Sequence, residues 1–236
     1  MVSKILTFKE LLKKENTKLL IRGMNYRFRK RNYSIVLMNC SQNALYHDKI
    51  INDGEAIIYE GHDVQKNYLT NGHSPKKTDQ SLRTPKKRLT QNGLFFRAAF
   101  RYKDGQGHPE KVQVYEKISN DQWVDNGLFK LVDAWREKNE TRHVYKFKLE
   151  VLNDENFNSV SLNGRRKNKR YIPPYIKISV YKRDKGTCQF PRCGKKDNLH
   201  FDHIIPISKG GSSVSTKNIQ LMCAMHNLKK NNRINF

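Results

Sequence analysis

Three cysteines and one histidine in the last quarter of the chain have the spacing of metal ligands. Cys188 and Cys193 are separated by four residues, Cys223 and His226 are separated by two, and about thirty residues lie between the two pairs. Two close pairs of soft or borderline ligands are typical of a closed tetrahedral zinc site. The pattern therefore predicts a structural Zn²⁺, against the alternative of three buried thiols beside an unrelated histidine.

A second set of polar residues is interleaved with these ligands. Asp202 and His203 precede Ile-Ile-Pro and the pair Gly210-Gly211. Asn218 follows, and Asn227 comes directly after His226. Hydrolysis of a phosphodiester needs an activated water, a cation on the phosphate and assistance to the leaving oxygen. A histidine beside a carboxylate and an amide that hold a metal ion meets these needs, so the segment is a candidate hydrolytic site.

The order of these motifs over residues 175–233 resembles the HNH, or ββα-metal, nuclease family. The resemblance implies a nuclease domain in which His203 is the general base and Asn218 orients the His203 ring. It also implies that Asp202 and Asn227 bind the catalytic divalent ion. The expected substrate is DNA.

Two positions depart from the usual HNH pattern. His226 replaces the more common fourth cysteine, and Asn227 stands where many relatives have histidine. Because an amide is an oxygen donor, Asn227 favours Mg²⁺ or Mn²⁺ as the catalytic ion. His200 falls on the same side of its predicted strand as Asp202, so it either contacts phosphate or metal or is a plain strand histidine.

The charge of the chain indicates a polyanionic partner. Lys and Arg number 46 against 22 Asp and Glu, which gives a net charge of +24 and a pI of about 9.9. From residue 165 onward, 17 Lys and Arg stand against 3 acidic residues. The candidate contacts to DNA phosphates, each with a solvated basic face as the alternative, are Lys76, Lys77, Arg83, Lys229, Lys230 and Arg233.

A weaker pattern runs through the first 155 residues. In order, the segments are YSIVLM, Tyr46-His-Asp48, IIYEGHD (57–63), Asp79-Gln80, LTQNGLFFRAA, VQVYEKI, and GLFKLVDAW before VYKFKL. This order is similar to that of SRA domains, which read 5-methylcytosine by flipping the base into a pocket. The tyrosine that precedes Asp-Gly in eukaryotic SRA domains is absent, and the segment here is Val-Asp125-Asn-Gly127. The modified base therefore stays open between 5-methylcytosine, 5-hydroxymethylcytosine and a bulkier modification.

A flipped base needs aromatic faces to replace its lost stacking and polar groups for its Watson–Crick edge. The SRA resemblance implies that Tyr46 and Tyr59 stack on the base, with half-buried strand aromatics as the alternative. It implies that Asp48 accepts a hydrogen bond from the cytosine N4 amino group. Glu60 and Asp63 are alternatives for that role. We expect the polar segment 64–88 to be a groove-inserting or solvated loop, in which Asp79-Gln80 stabilises the loop.

The periodicity predicts an α+β protein. Helices are expected over residues 8–15 and from Thr90 to Tyr102, and the turn signal Asn52-Asp53-Gly54 separates two strands. The predicted strands are 33–38, 55–59, 112–118, 127–135 and 143–151, the last with one buried and one basic face. The resemblances imply an SRA-like twisted β-barrel with flanking helices over residues 1–155, a basic linker over 156–175, and a zinc-stapled ββα-metal domain over 176–236.

Together these features predict a prokaryotic, cytoplasmic restriction endonuclease that depends on DNA modification. The partner is double-stranded DNA, with a homodimer left open, and no transmembrane or amphipathic membrane segment is evident. Two alternatives remain: an HNH endonuclease specific for an unmodified sequence, and a non-catalytic zinc-containing DNA-binding protein. The full set of Asp202, His203, Asn218 and Asn227 argues against the non-catalytic alternative.

Overall fold

The computed structural model describes residues 4–20, 23–39, 46, 48–51, 56–69, 74–152 and 172–234. Its strands are β1 (Ile5–Thr7), β2 (Met24–Asn25), β3 (Ser34–Met38), β4 (Lys49–Ile51), β5 (Ala56–Glu60), β6 (Glu110–Lys117), β7 (Gln122–Lys138), β8 (His143–Val151), β9 (Leu199–His203) and β10 (Ile219–Cys223). Its α-helices are α1 (Phe8–Lys14), α2 (Gln91–Lys103), α3 (Pro174–Arg183) and α4 (Ala224–Lys230). None of the described helices is long and apolar enough to cross a lipid bilayer.

The first two helices begin at the capping residues that the sequence indicates. Thr7 accepts a hydrogen bond from the backbone N–H of Glu10, and the Glu10 carboxylate accepts one from the backbone N–H of Thr7. This capping box satisfies two backbone donors that α1 itself leaves unpaired. Thr90 caps α2 by accepting from the N–H of Gly93. Both predicted helices are therefore confirmed.

Strands β1 to β8 form one sheet, called the large sheet below. Its order is β2-β3-β6-β7-β8-β5-β4, and β1 pairs with the start of β7. Strands β3 and β6 run parallel, and the other pairs are antiparallel. The predicted strands are confirmed to within two residues, except that the one expected over 127–135 extends from Gln122 to Lys138. Among the described pairings, β2 and β4 lie at the two ends of the strand order, and the predicted α+β fold with an SRA-like sheet and helices is confirmed.

The start of β7 contains an irregularity in its pairing with β6. Pairing with β6 shifts from Val114 opposite Gly127 to Tyr115 opposite Asp125, which leaves Asn126 as the extra residue of a β-bulge. Gly127 has a φ of 81°, a conformation that favours glycine. The Val-Asp-Asn-Gly segment is therefore a bulge inside a strand.

Helix α2 packs its apolar face on the large sheet to form the main core. Phe95 and Ala99 are fully buried, and the Phe95 ring meets Phe147 edge to face at 5.9 Å between centroids. The expected basic face of β8 is wrong at Lys146, which is buried and paired with Glu60 at 2.8 Å. A buried carboxylate requires such a counter-charge, and this requirement overrides the alternation of the strand.

Residues 172–234, called the C-terminal unit below, form the antiparallel hairpin β9–β10 with α3 and α4 against it. Helix α3 begins at Pro174, a residue favoured in the first helical turn, within the end of the predicted linker. Most of that linker and the turn at 52–54 lie outside the described residues. The domain boundaries stay a prediction.

Candidate metal centre, catalytic site and base-binding cluster

The four predicted zinc ligands converge in the C-terminal unit. The ligand atoms of Cys188, Cys193, Cys223 and His226 all lie within 4.8 Å of one another. Nδ1 of His226 is 3.6 Å from Sγ of Cys188 and 3.3 Å from Sγ of Cys223, and Sγ of Cys193 is 4.0 Å from Sγ of Cys223. Tetrahedral bonds of about 2.0–2.3 Å to Zn²⁺ place neighbouring ligand atoms about 3.3–3.8 Å apart. Donor chemistry and spacing therefore fit a four-ligand zinc site.

Three local elements position these ligands. Cys188 and Cys193 lie in the loop after α3, Cys223 ends β10, and His226 lies in the first turn of α4. The ring of Phe190 stacks on that of His226 at 3.8 Å between centroids. Burial raises the pKa of the Cys188 thiol, so a bound cation is needed to stabilise its thiolate near neutral pH.

The predicted general base lies at the end of β9, with a hydroxyl against its ring. Nε2 of His203 is 2.8 Å from Oγ of the buried Ser213. The amide of Asn218 does not contact the His203 ring: it accepts from the N–H of Ile205 at 2.8 Å and donates to the carbonyls of Ile205 and Ser212 at 3.1 and 3.0 Å. That Asn218 orients the His203 ring therefore stays a prediction, with no direct contact between the two among the described residues. Asn218 holds the loop that carries Ser213, and the hydroxyl of Ser213 holds the ring.

The glycine pair of the motif makes this loop closure feasible. A Cβ on Gly211 would lie 1.7 Å from the Ile205 carbonyl oxygen and 2.7 Å from Nδ2 of Asn218. Gly210 has a φ of 87°, which a side chain disfavours. Any larger residue at position 211 would thus displace Asn218 from the loop.

Asp202 is buried and paired with a lysine that the sequence analysis assigned to DNA phosphate. Nζ of Lys230 lies 3.0 Å from Oδ2 of Asp202 and donates to the carbonyl of His203 at 2.6 Å. Gln220 donates to the same carboxylate at 3.0 Å. Because Lys230 is only 1% exposed, its predicted phosphate contact is wrong. Its ammonium group instead neutralises the buried carboxylate and holds the end of β9.

The predicted ligands of the catalytic ion lie on packed neighbours. Asp202 is in β9, and Asn227 is half-buried on α4, one helical turn before Lys230. A carboxylate and an amide oxygen suit a hard divalent cation such as Mg²⁺.

His200, also in β9, has a buried Nδ1 without a hydrogen-bond partner among the described residues, and burial lowers its pKa. A half-buried ring with a lowered pKa favours the plain strand histidine over a phosphate contact.

The residues predicted to bind the base cluster at the end of β5. The hydroxyl of Tyr46 donates to Oδ2 of Asp63 at 3.2 Å. The carboxylate of Asp48 accepts from the backbone N–H groups of Glu60 at 2.9 Å and Asn39 at 3.2 Å. Burial is the main cause that raises the pKa of Asp48 to about 7. A polar cluster with a carboxyl poised near neutral pH therefore lies where the sequence predicts the pocket.

Tyr59 and Lys76 have surroundings that the sequence does not predict. Tyr59 is 5% exposed and belongs to the main core, so its ring lies among apolar side chains, and base stacking by Tyr59 stays a prediction. Lys76, predicted to contact phosphate, instead places Nζ 3.5 Å from the centroid of the Tyr46 ring and 2.9 Å from Oδ2 of Asp63. The side chains of Lys77, Arg83, Lys229 and Arg233 are exposed and remain candidates for phosphate contacts.

Cations outside the predicted set of site residues hold this cluster together. Nη2 of Arg142 lies 2.5 Å from Asp63 and 3.6 Å from Glu60, and Nη1 donates to the carbonyl of Pro75 at 2.6 Å. Glu60 and Lys146 face each other across β5 and β8. Opposite charges on paired strands are the signal that could have revealed this contact. The side-chain amide of Gln80 donates to the carbonyl of Gly61 and accepts from the N–H of Tyr145, as expected for a loop-stabilising role.

Two family models match the chain. The SAD/SRA domain model matches residues 9–155, which is more than half of the sequence. The chain belongs to the SAD/SRA domain family. The HNH endonuclease model matches residues 188–233, which contain the metal cluster and the hydrolytic motif. This SRA chain therefore carries an HNH endonuclease domain, a type of enzyme that uses a divalent metal to cut DNA.

Several solved structures are similar to this chain at low sequence identity. The SRA domain of SUVH5 in complex with fully methylated CG DNA is 19% identical, with 62% of this chain and 85% of that chain covered and a TM-score of 0.41. KRYPTONITE in complex with mCHG DNA is 17% identical, with 65% of this chain and 32% of that chain covered and a TM-score of 0.43. SUVH6 of Arabidopsis thaliana is 16% identical, with 62% and 23% covered and a TM-score of 0.37. No curated protein is significantly similar to this chain.

The SRA chain, purified without added metal, is expected to hold about one Zn²⁺ per molecule by elemental analysis. Cys193→Ala should remove most of this zinc and unfold the C-terminal unit, because metal binding supplies folding free energy in a unit with a small core. Cys40→Ala, at the cysteine far from the cluster in the sequence, is the matched control and should keep the zinc. A zinc-free C-terminal unit that is well folded would contradict the assignment.

His203→Ala is expected to abolish cleavage while DNA binding stays nearly intact, because a general base lowers the barrier and adds little ground-state affinity. Ser213→Ala should lower kcat by roughly tenfold to a hundredfold with KM and zinc content unchanged, because the ring loses its orienting contact. Ser208→Ala, at an exposed serine that contacts Asn232, is the control and should cleave normally. Unchanged kcat in Ser213→Ala would show that the hydroxyl does not position the base.

Proposed function

We propose that this SRA–HNH chain is a modification-dependent restriction endonuclease. It recognises a modified cytosine in double-stranded DNA by base flipping and hydrolyses phosphodiester bonds in the C-terminal unit. The observation that carries the proposal is the presence, in one chain, of the SAD/SRA match over residues 9–155 and the HNH match over residues 188–233, which contain Asp202, His203, Asn218 and Asn227. A nuclease that shares a chain with a base-reading domain requires that domain for targeting.

His203 is the proposed general base of the hydrolysis. The contact between its Nε2 and the hydroxyl of Ser213 orients the ring that takes a proton from the attacking water. Lys230 stabilises this geometry, because its ammonium group pairs with the Asp202 carboxylate and donates a hydrogen bond to the His203 carbonyl. These contacts preorganise the base before DNA binds.

Two kinds of metal are proposed. Asp202 and Asn227 would hold Mg²⁺ or Mn²⁺, which when bound supplies charge stabilisation at the phosphate. Cys188, Cys193, Cys223 and His226 would hold Zn²⁺ as a structural ion. Both assignments follow from donor chemistry, oxygen for the hard ions and sulfur with nitrogen for zinc.

In the SAD/SRA domain, Tyr46 and Asp48 are proposed to bind the flipped base. Tyr46 is half-buried and would stack on the base, and the Asp48 carboxylate would accept from the N4 amino group. The ammonium group of Lys76 lies against one face of the Tyr46 ring. A base can stack on that face only if the ammonium group moves away. The proposed DNA contacts outside the pocket are the exposed Lys77, Arg83, Lys229 and Arg233.

A prokaryotic cytoplasm is the proposed location, and no observation on the described residues supports the homodimer. The alternatives, a nuclease for an unmodified sequence and a non-catalytic zinc protein, are outcomes of the experiment that follows.

Three otherwise identical plasmids that carry cytosine, 5-methylcytosine or 5-hydroxymethylcytosine test the proposal. With Mg²⁺, the protein is expected to cut at least one modified plasmid and to spare the unmodified one. Tyr46→Ala should lower affinity for modified DNA by roughly tenfold to a hundredfold, the equivalent of one lost stacking contact. Equal cutting of all three plasmids would favour an unmodified-sequence nuclease, and no cutting of any would favour the non-catalytic alternative.

The preference for modified DNA is expected to depend on pH. Because burial raises the pKa of Asp48 to about 7, its carboxyl gains charge as pH rises through that value. The ionised form is the stronger acceptor for an amino group, so the preference should increase several-fold from about pH 6 to about pH 8. Fluorescence anisotropy with modified and unmodified duplexes at constant ionic strength measures this. In Asp48→Asn the pH dependence should vanish, and its persistence would show that another group is responsible.

A further inference from the structure

The start of the chain joins the large sheet to the C-terminal unit. Strand β1 pairs with β7, with Ile5 opposite Val124, and the backbone N–H of Asp125 donates to the carbonyl of Lys4 at 3.0 Å. Lys4 also forms an antiparallel bridge with His200 in β9. The main chain of residues 4–7 is therefore paired both with the large sheet and with the C-terminal unit.

Apolar side chains from the two parts form one core. Ile5 and Val124 of the large sheet are buried in the same cluster as residues of the C-terminal unit. The latter include Ile172, Ile176, Val180, Leu199, Phe201, Ile219, Leu221 and Met222. Separation of the two parts would expose these side chains to water, which opposes the relative motion that is usual between domains.

A buried charged cluster lies on the same boundary. Nζ of Lys177 in α3 is 3.3 Å from Oε2 of Glu116 in β6, and both side chains are completely buried. Asn126, the bulge residue of β7, contacts Nζ of Lys177 through Oδ1 and donates to Oε2 of Glu116 at 3.0 Å. Oε1 of Glu116 is buried without a hydrogen-bond partner among the described residues. The carboxylate thus depends on an ammonium group from the other part of the molecule.

We infer that Lys177, Glu116 and Asn126 are positioning residues that fix where DNA is cut relative to the modified base. The docked C-terminal unit holds His203 at a constant distance from the base-binding cluster on β5. The cleavage offset is then set by the docking of α3 on the large sheet and is independent of the length of segment 153–171. This inference rests on the proposed function, because it requires the SRA domain to hold a modified base.

The test uses the full chain, Mg²⁺ and a duplex with one modified cytosine, with cut positions mapped on both strands. The wild-type protein should cut each strand at one dominant position. An insertion of about ten Gly and Ser residues after Gly164 should leave that position unchanged, although a flexible tether of that length would widen the reach of a loosely linked nuclease. Movement or spreading of the cuts in the insertion variant would overturn the inference.

Lys177→Met removes the ammonium group and leaves Glu116 charged and unpaired. The fraction of products cut at the wild-type position should fall by at least about fivefold, because small displacements of a catalytic group reduce rates steeply. Lys182→Met, at an exposed lysine of the same helix, is the matched control and should cut as the wild type does. Lys177→Met combined with Glu116→Gln removes both charges and should restore the single position. A wild-type cut pattern in Lys177→Met, or no restoration in the double variant, would overturn the inference.

Scanning calorimetry separates this inference from the proposed function. Docked parts should unfold in one transition in the wild type, and in two in Lys177→Met. Two transitions in the wild type would overturn the docking even if cleavage depends on modification. If modified and unmodified duplexes are cut alike, the proposed function fails, and the offset inference fails with it, while a single transition would still show that the two parts are docked.

Discussion

The C-terminal unit contains too few residues to bury a sufficient core of its own, and the rest of the structure follows from how this shortage is met. The metal-ligand cluster provides one remedy, because Cys188 and Cys223 are themselves members of the buried cluster. The large sheet provides the other, because Ile5 and Val124 complete the same core. The small hydrolytic site thus acquires its rigidity from a cation site on one side and from the SRA domain on the other.

The second organising constraint is electrostatic. The chain has a net charge of +24, yet several of its basic side chains are committed to buried carboxylates and not to DNA. Lys230 pairs with Asp202 at the hydrolytic site, Lys146 pairs with Glu60 near the base cluster, and Lys177 pairs with Glu116 between the two parts. Each pair joins two secondary structure elements, because a buried carboxylate is stable only where a cation reaches it. Basic composition therefore overstates the number of phosphate contacts.

Local sequence patterns predicted the elements well where one short-range rule decided the outcome. The helices predicted over residues 8–15 and from Thr90 to Tyr102 were correct, since the caps at Thr7 and Thr90 depend on residues a few positions apart. The two-residue alternation of β8 failed at Lys146 because a partner from β5 decided its burial. The contacts of Asn218 were not predictable for a related reason: loop closure brought its amide to Ile205 and placed Ser213 against His203. A serine after Gly-Gly carries no local signal of that contact.

The sequence by itself determined the family, the chemistry and the ligand set. Spacing along the chain is enough to identify the Asp202-His203 pair and the four cluster residues Cys188, Cys193, Cys223 and His226. This is because ligand and motif spacing are properties of short segments. Only the tertiary structure decided which charges are buried, which hydroxyl holds the general base, and that the two parts share one core. Those outcomes depend on contacts between residues far apart in the chain, such as Lys177 with Glu116, where burial and not residue type determines what a side chain does.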